Sequence, residues 1–163
     1  MKDAGQRFAI GLTITIAVLA CVYYATCTTL INTGSGLSPT LQATDRIWIR
    51  RTHEAKVGDI IFFSVANQRD LFLSRVVAKS GDSLQIRDGS LYVNGKRREE
   101  PDVLQPPKGF PETRVAAESY FVMDDRRDVE DVDSRTFGAI PKANVIGRVF
   151  LVFSFRDGFR RLK

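Results

Sequence analysis

The chain has a single histidine, His53, and only two cysteines, Cys21 and Cys27, among its 163 residues. Both cysteines lie inside one long uncharged run. Their spacing on a helix points them to different faces, which argues against a disulfide between them. With one histidine and no cysteine elsewhere, nitrogen and sulfur ligands are too few for a protein-built zinc site, and no metal or other cofactor is expected. His53 stands in the polar turn Arg50-Arg51-Thr52-His53-Glu54 and reads as a surface residue. Dinucleotide fingerprints, heptads and internal repeats are also missing. Charge of one sign is not concentrated anywhere. Lysine and arginine total 24 against 19 acidic residues, a net charge of +5. Setting aside Lys2, Asp3 and Arg7 leaves 22 basic and 18 acidic residues, so the excess in the body is +4 and dispersed. Such a surface lacks a nucleic-acid footprint and has at most a mild preference for anionic lipid.

Phe8 to Ile31 is a stretch of 24 residues without a charge. A helix of roughly 20 apolar residues spans a bilayer core, and in lipid a helix is the only single segment that satisfies its own backbone. The run predicts a transmembrane helix over 8–31. Tyr23 and Tyr24 stand toward its outer half, where an aromatic belt falls. A cleaved signal peptide fits less well because the apolar core is too long. A lipoprotein box at Val18-Leu19-Ala20-Cys21 also fits poorly, since apolar residues continue beyond Cys21. Lys2 and Arg7 before the span favour an inside amino terminus and a translocated body, with residues 1–7 cytoplasmic and 32–163 extracytoplasmic.

The body reads as β. Candidate strands are Arg46–Arg50, Ile60–Phe63, Phe72–Ala78, Ser83–Arg87, Ser90–Val93, Tyr120–Met123 and Val149–Phe155. Asp88-Gly89 joins two of them as a tight hairpin, and Asn94-Gly95 supplies the next turn. Residues 96–113, with Pro101, Pro106, Pro107 and Pro111, read as an exposed loop or lid. The expected class is mostly β, with folded antiparallel sheets closing toward a barrel behind one helix. The C-terminal run Phe155-Arg156-Asp157-Gly158-Phe159-Arg160-Arg161 reads as a final strand and frayed tail, with contact to anionic lipid as the sharper alternative.

Just beyond the apolar run lies Gly34-Ser35-Gly36-Leu37-Ser38-Pro39-Thr40-Leu41. Further on come Gly58-Asp59-Ile60, Arg75-Val76-Val77, Gly81-Asp82, Asp133-Ser134-Arg135 before Phe137-Gly138, and Ile146-Gly147. In this order, behind an anchor, the boxes resemble the type I signal peptidase (leader peptidase) family over nearly the whole chain. That resemblance implies the family's β fold and a serine endopeptidase acting on exported preproteins at the membrane. The family's chemistry uses a serine hydroxyl activated by a neutral lysine amine. A serine hydroxyl needs an adjacent base, and lysine serves only when burial lowers its pKa.

Carried over by residue, the nucleophile's position is Gly36 and the base's position is Ser74. The hydroxyl donor to the oxyanion becomes Gly34, and the serine that orients the lysine becomes Asp131. Asp124-Asp125-Arg126 stands where the family has Gly-Asp-Asn, and the segment before Asp133 has one extra residue. The retained scaffold is Asp59, Arg75, Asp82, Asp125, Asp133, Ser134 and Arg135. Ser35 and Ser38 are fallback nucleophiles, although a one-residue slip on an extended chain turns a side chain to the opposite face. Ser35, Gly36, Leu37, Phe72, Leu73 and Ser74 should line a substrate groove. Three readings follow: a non-catalytic binder of exported proteins or pilins acting as a chaperone or assembly factor, a peptidase with a shifted serine, or a membrane-anchored β domain with a vestigial cleft. If the groove is intact, Gly36→Ser with Ser74→Lys should restore some cleavage, more readily with Asp131→Ser added.

Overall fold

The computed structural model describes residues 2–100, 103, 106–127 and 133–162. It begins with helix α1, Lys2–Thr26. Within it, Gly5–Thr26 has a mean hydropathy of 2.1 and none of its residues is buried in the protein. At ~1.5 Å rise per residue this stretch is about 33 Å long, close to the thickness of a hydrocarbon core. The helix is thus long and apolar enough to cross a membrane. Its threonines do not present bare hydroxyls. Thr13, Thr15 and Thr26 donate to the carbonyls of Ala9, Gly11 and Val22, each at 2.8–2.9 Å.

The helix ends at Thr26, short of the Ile31 expected from hydropathy. Cys27–Ile31 form strand β1, antiparallel to β2, Arg46–Arg51. The apolar run continues unbroken, but its last five residues find backbone partners in a neighbouring strand. Thr28 and Leu30 lie opposite Ile49 and Ile47, both fully buried. Tyr23 Oη of the helix lies 3.1 Å from Thr29 Oγ1, which ties the last helical turn to the strand.

β3 (Ile60–Ser64) and β4 (Leu71–Lys79) continue the main sheet. The chain then leaves it for β5 (Ser83–Arg87), β6 (Ser90–Val93), β7 (Lys96–Arg97) and β8 (Phe110–Arg114), a smaller sheet in the order β7-β6-β5-β8. It returns through β9 (Ser119–Met123), the single turn α2 (Ser134–Phe137), β10 (Ile140–Pro141), β11 (Val145–Ser154) and β12 (Gly158–Arg161). The main sheet runs β1-β2-β11-β3-β4-β9-β10, with β12 also paired to β11.

β11 makes this sheet curl. It pairs with β2 along one side, and with β3 and then β12 along the other. A bulge between Val149 and Leu151 increases its twist. Gly147 permits the close crossing, because a Cβ there would stand 2.5 Å from Ile49 Cγ2 and 2.6 Å from the Arg50 carbonyl oxygen. The interior divides into three apolar clusters: one between the two sheets around Phe121 and Leu84, one under β2 and β11 around Leu41 and Ile60, and one around Phe63 and Tyr120.

The expected loop at 96–113 is strand at both ends. β7 pairs with β6, and β8 pairs with β5. Pro111 sits within β8, where an edge strand tolerates a missing N–H. Of the expected final strand and frayed tail, Gly158–Arg161 form strand β12, folded back on β11.

Candidate active-site groove

After β1 the chain makes a loop that Asn32 holds in shape. Its side-chain amide donates to the carbonyls of Gly34 and Gln42 at 3.0 and 2.9 Å, and its backbone N–H donates to Asp45 at 2.8 Å. Leu37 and Leu41 plug the loop into the core under β2. A tight turn, with Ser38 N donating to the Ser35 carbonyl at 3.0 Å, leaves Gly34-Ser35-Gly36 along the start of β4. Between them opens a groove of about 490 Å³, walled by residues 30–37 on one side and by Phe62 and Leu71–Leu73 on the other. Asp124 lines it too, as the one ionisable group among the described lining residues.

Asp124 decides the chemistry of this groove. It follows β9 directly and is 8% exposed. One carboxylate oxygen, Oδ1, accepts the Ser74 hydroxyl at 2.6 Å. The other, Oδ2, lies 1.9 Å from where a Cβ on Gly36 would stand, with Cγ at 2.8 Å. A carboxylate therefore fills the space into which a side chain at position 36 would project. It also bonds the residue at position 74, itself 1% exposed. The segment is fixed on both sides: Asp124 N donates to Asp133 Oδ2 at 3.2 Å, and Arg126 N donates to the Gly36 carbonyl at 2.9 Å.

A network of buried charges holds this arrangement. Arg75 binds Asp125 through two bonds of 2.7 Å each, and it also donates to Thr40 Oγ1 at 2.9 Å and the Gly58 carbonyl at 3.0 Å. Thr40 donates in turn to Asp125 Oδ2 at 2.6 Å. Asp133 caps α2 and pairs with Arg135 at 2.8 Å, while Ser134 Oγ accepts the Val122 N–H at 2.9 Å. Arg127, wholly buried, donates to the Asp124 carbonyl and pairs with Glu100 at 2.5 Å.

Of the groove residues expected from sequence, Ser35, Gly36, Leu37, Phe72 and Leu73 line it. Ser74 stands behind Asp124 and reaches the groove only through that carboxylate. Ser38 is in the turn and does not line it. Asp59 pairs with Arg148 at 3.2 Å and accepts from Lys56 N at 2.7 Å. Asp82 accepts from Lys79 N at 3.0 Å and Asn94 Nδ2 at 2.9 Å, in a turn away from the groove. Asp131 lies outside the described residues. His53 is exposed and donates through Nδ1 to the Val145 carbonyl at 2.7 Å. Both cysteines are free. Sequence reasoning noted that Asp124 replaces a glycine but missed what it occupies. It missed Arg127 altogether, although an arginine next to an apolar strand was the available signal.

An apolar helix entering a curled antiparallel sheet, with a groove between the first loop and β4, is the architecture of a type I signal peptidase. A crystal structure of signal peptidase I from Enterococcus faecalis V583 superposes with a TM-score of 0.54 at 24% identity, covering 58% of this chain and 96% of that one. The chain belongs to the family described as signal peptidase, peptidase S26, whose model matches residues 6–154. It is similar to a relative named "Probable signal peptidase I-2" from Synechocystis, with 31% identity over 130 residues, 73% of this chain and 59% of that protein. Signal peptidase IB of Staphylococcus aureus is 27% identical over 176 aligned positions, covering 94% of this chain and 91% of the relative. The chain thus spans 59% of the length of the Synechocystis protein.

Proposed function

We propose that this protein is a non-catalytic signal peptidase-like factor that binds extended segments of exported proteins or pilins in its groove without cutting them. In this reading, helix α1 crosses the cytoplasmic membrane with Lys2 and Arg7 inside, and the β domain lies outside. The observation that carries the reading is the Asp124 carboxylate packed against Gly36 and bonded to Ser74. A serine peptidase needs a nucleophile with an adjacent base. Here the corresponding positions offer a glycine and a buried hydroxyl that already donates to a carboxylate. Loss of the nucleophile alone costs on the order of 10⁶ in kcat in serine peptidases. The groove still has the form for an extended chain, with an apolar wall at Phe62, Leu71 and Leu73.

The test pairs two measurements on the membrane-embedded protein. A photocrosslinker at Leu71 or Ser35 should capture an exported protein or pilin in cells. The purified protein should leave a synthetic preprotein uncut. Capture of no exported protein would refute the binding role.

A second reading has one observation in its favour, which is that Ser35 lines the groove and is exposed. If the protein is a peptidase with a shifted serine, cleavage will be measurable and Ser35→Ala will abolish it.

A further inference from the structure

Basic residues that lie far apart in the sequence are gathered by the fold at one place outside the groove. Lys56, Lys79, Lys96 and Arg98 line a cavity of about 550 Å³, with Val57 and Val93 among its apolar residues. Its described lining residues include none of those that line the groove. Three connections bring the cations together. Gly58 N donates to the Val76 carbonyl at 2.8 Å, which lays the turn holding Lys56 along β4. Lys79 is the last residue of β4. Asn94 pins the hairpin of β6 and β7 to the turn after Lys79. Its side-chain amide donates to Asp82 Oδ1 at 2.9 Å, and its side-chain oxygen accepts from Ser83 N at 2.9 Å.

The charges there are not balanced. Asp82 is the one carboxylate among the described lining residues. Its two oxygens accept from the Asn94 amide and, at 3.0 Å, from the Lys79 backbone N–H, both uncharged donors. Among the described residues, none of the four cations pairs with a carboxylate. A cleft lined by one sign of charge focuses its field and concentrates ions of the other sign.

β7 adds a backbone edge. It is the terminal strand of the smaller sheet. Lys96 lies opposite Val93 across the Asn94-Gly95 turn, and Arg98 N donates to the Leu91 carbonyl at 2.8 Å. The alternation of an antiparallel ladder then points the Arg97 N–H and C=O away from β6, along the outer edge. Lys96 and Arg98 both line the cavity, as residues two apart on a strand share a face. Along the strand they are ~6.7 Å apart.

We propose that this corner between the two sheets binds an extended acidic segment of a partner protein. The segment adds as a strand to β7 through the Arg97 backbone, with carboxylates on alternate residues facing Lys96 and Arg98 and reaching Lys56 and Lys79 across the cavity. Charge complementarity selects the occupant, and so does spacing, since carboxylates two residues apart on a strand repeat at the same ~6.7 Å. The proposal does not rest on the groove, nor on whether the groove binds or cuts a peptide.

The full-length protein in a zwitterionic detergent is titrated with a dye-labelled peptide of alternating glutamate and valine. Two controls are the same peptide with glutamine for glutamate, and one of equal composition with its glutamates in a single block. The alternating glutamate peptide should bind about tenfold tighter than either control, and its affinity should fall as sodium chloride is raised. Each of Lys56→Gln, Lys79→Gln, Lys96→Gln and Arg98→Gln should weaken it about two- to fivefold. Equal affinity for the glutamine peptide overturns the proposal on the unmodified protein alone, whatever the variants do. Equal affinity for the block peptide also overturns it, and assigns the corner to unordered attraction of anions. Binding that survives the four substitutions together but is lost in Leu71→Asp places the peptide in the groove and overturns the proposal as well. Cross-linking from Ser35 in the groove should be unchanged by the four substitutions, so the two readings fail separately.

Discussion

Asp124 and Gly36 share one volume: the carboxylate oxygen of the first lies 1.9 Å from the Cβ that the second lacks. Giving position 36 a side chain therefore requires Asp124 to move, and Asp124 is held by Ser74, by Asp133 and by the neighbouring backbone. Gly36→Ala should destabilise the protein by about 1–3 kcal/mol, the usual cost of overpacking. In a chain of this size that lowers Tm by roughly 2–4 °C per kcal/mol. Asp124→Gly alone should also destabilise, because the buried Ser74 hydroxyl loses its acceptor. The pair together should cost less than the sum, with a coupling of about 0.5–3 kcal/mol in thermal unfolding. Strict additivity would show that the two residues do not compete for space.

The same contact changes what a restored enzyme requires. Gly36→Ser with Ser74→Lys, sufficient on the sequence reading, should remain inactive, because the serine has no room and the lysine meets a carboxylate that favours its charged form. Adding Asp124→Gly, in an Asp131→Ser background, should yield measurable cleavage of a synthetic preprotein. That cleavage should rise with pH, since the amine acts as a base only after losing its proton. Activity of the version that keeps Asp124 would overturn this account of the groove.

Arg75 and Asp125 form the charge pair under the loop. The Asp125 side chain has no exposed surface, and that of Arg75 is 17% exposed. Arg75→Met should cost about 3–5 kcal/mol in urea unfolding, because it strands a buried carboxylate. Arg75→Lys should recover only part of this, since an ammonium cannot reproduce the two-pronged contact or reach Thr40 and Gly58 as well. A Met variant as stable as the unmodified chain would show that the pair contributes nothing.

Arg127 and Glu100 join the segment after β9 to the stretch that follows β7. Arg127→Met should free that stretch. Limited trypsin digestion at Lys96, Arg97 and Arg98 should then run about tenfold faster for each ~1.4 kcal/mol of local stability lost. An unchanged cutting rate would mean that other contacts hold the stretch.

Most of the β body was legible because its turns carry their own chemistry. Asp88-Gly89 and Asn94-Gly95 adopt positive φ at both positions, and β5 and β6, on either side of the first turn, fall where alternation placed them. The end of α1 was not legible, since hydropathy runs evenly through Thr26 and Cys27 and only pairing with β2 separates helix from strand. Pro111 concealed β8, because a proline counts against a strand unless the strand is known to be an edge. At the groove, residue types at positions 36, 74 and 124 were all visible in the sequence. Their mutual contact was not, because the loop after β1 and the end of β9 meet only once the sheet has curled.

The direct join between Thr26 and Cys27 limits how far the groove can stand from the bilayer. Gly36 is ten residues past the helix, at most about 35 Å even if fully stretched, and the first five of those residues are committed to β1. There is no tether to let the domain search the space beyond. If α1 spans the membrane, whatever the groove receives has to arrive at the surface itself, so clients would be sampled by lateral diffusion among proteins still emerging from the bilayer and not by capture from solution.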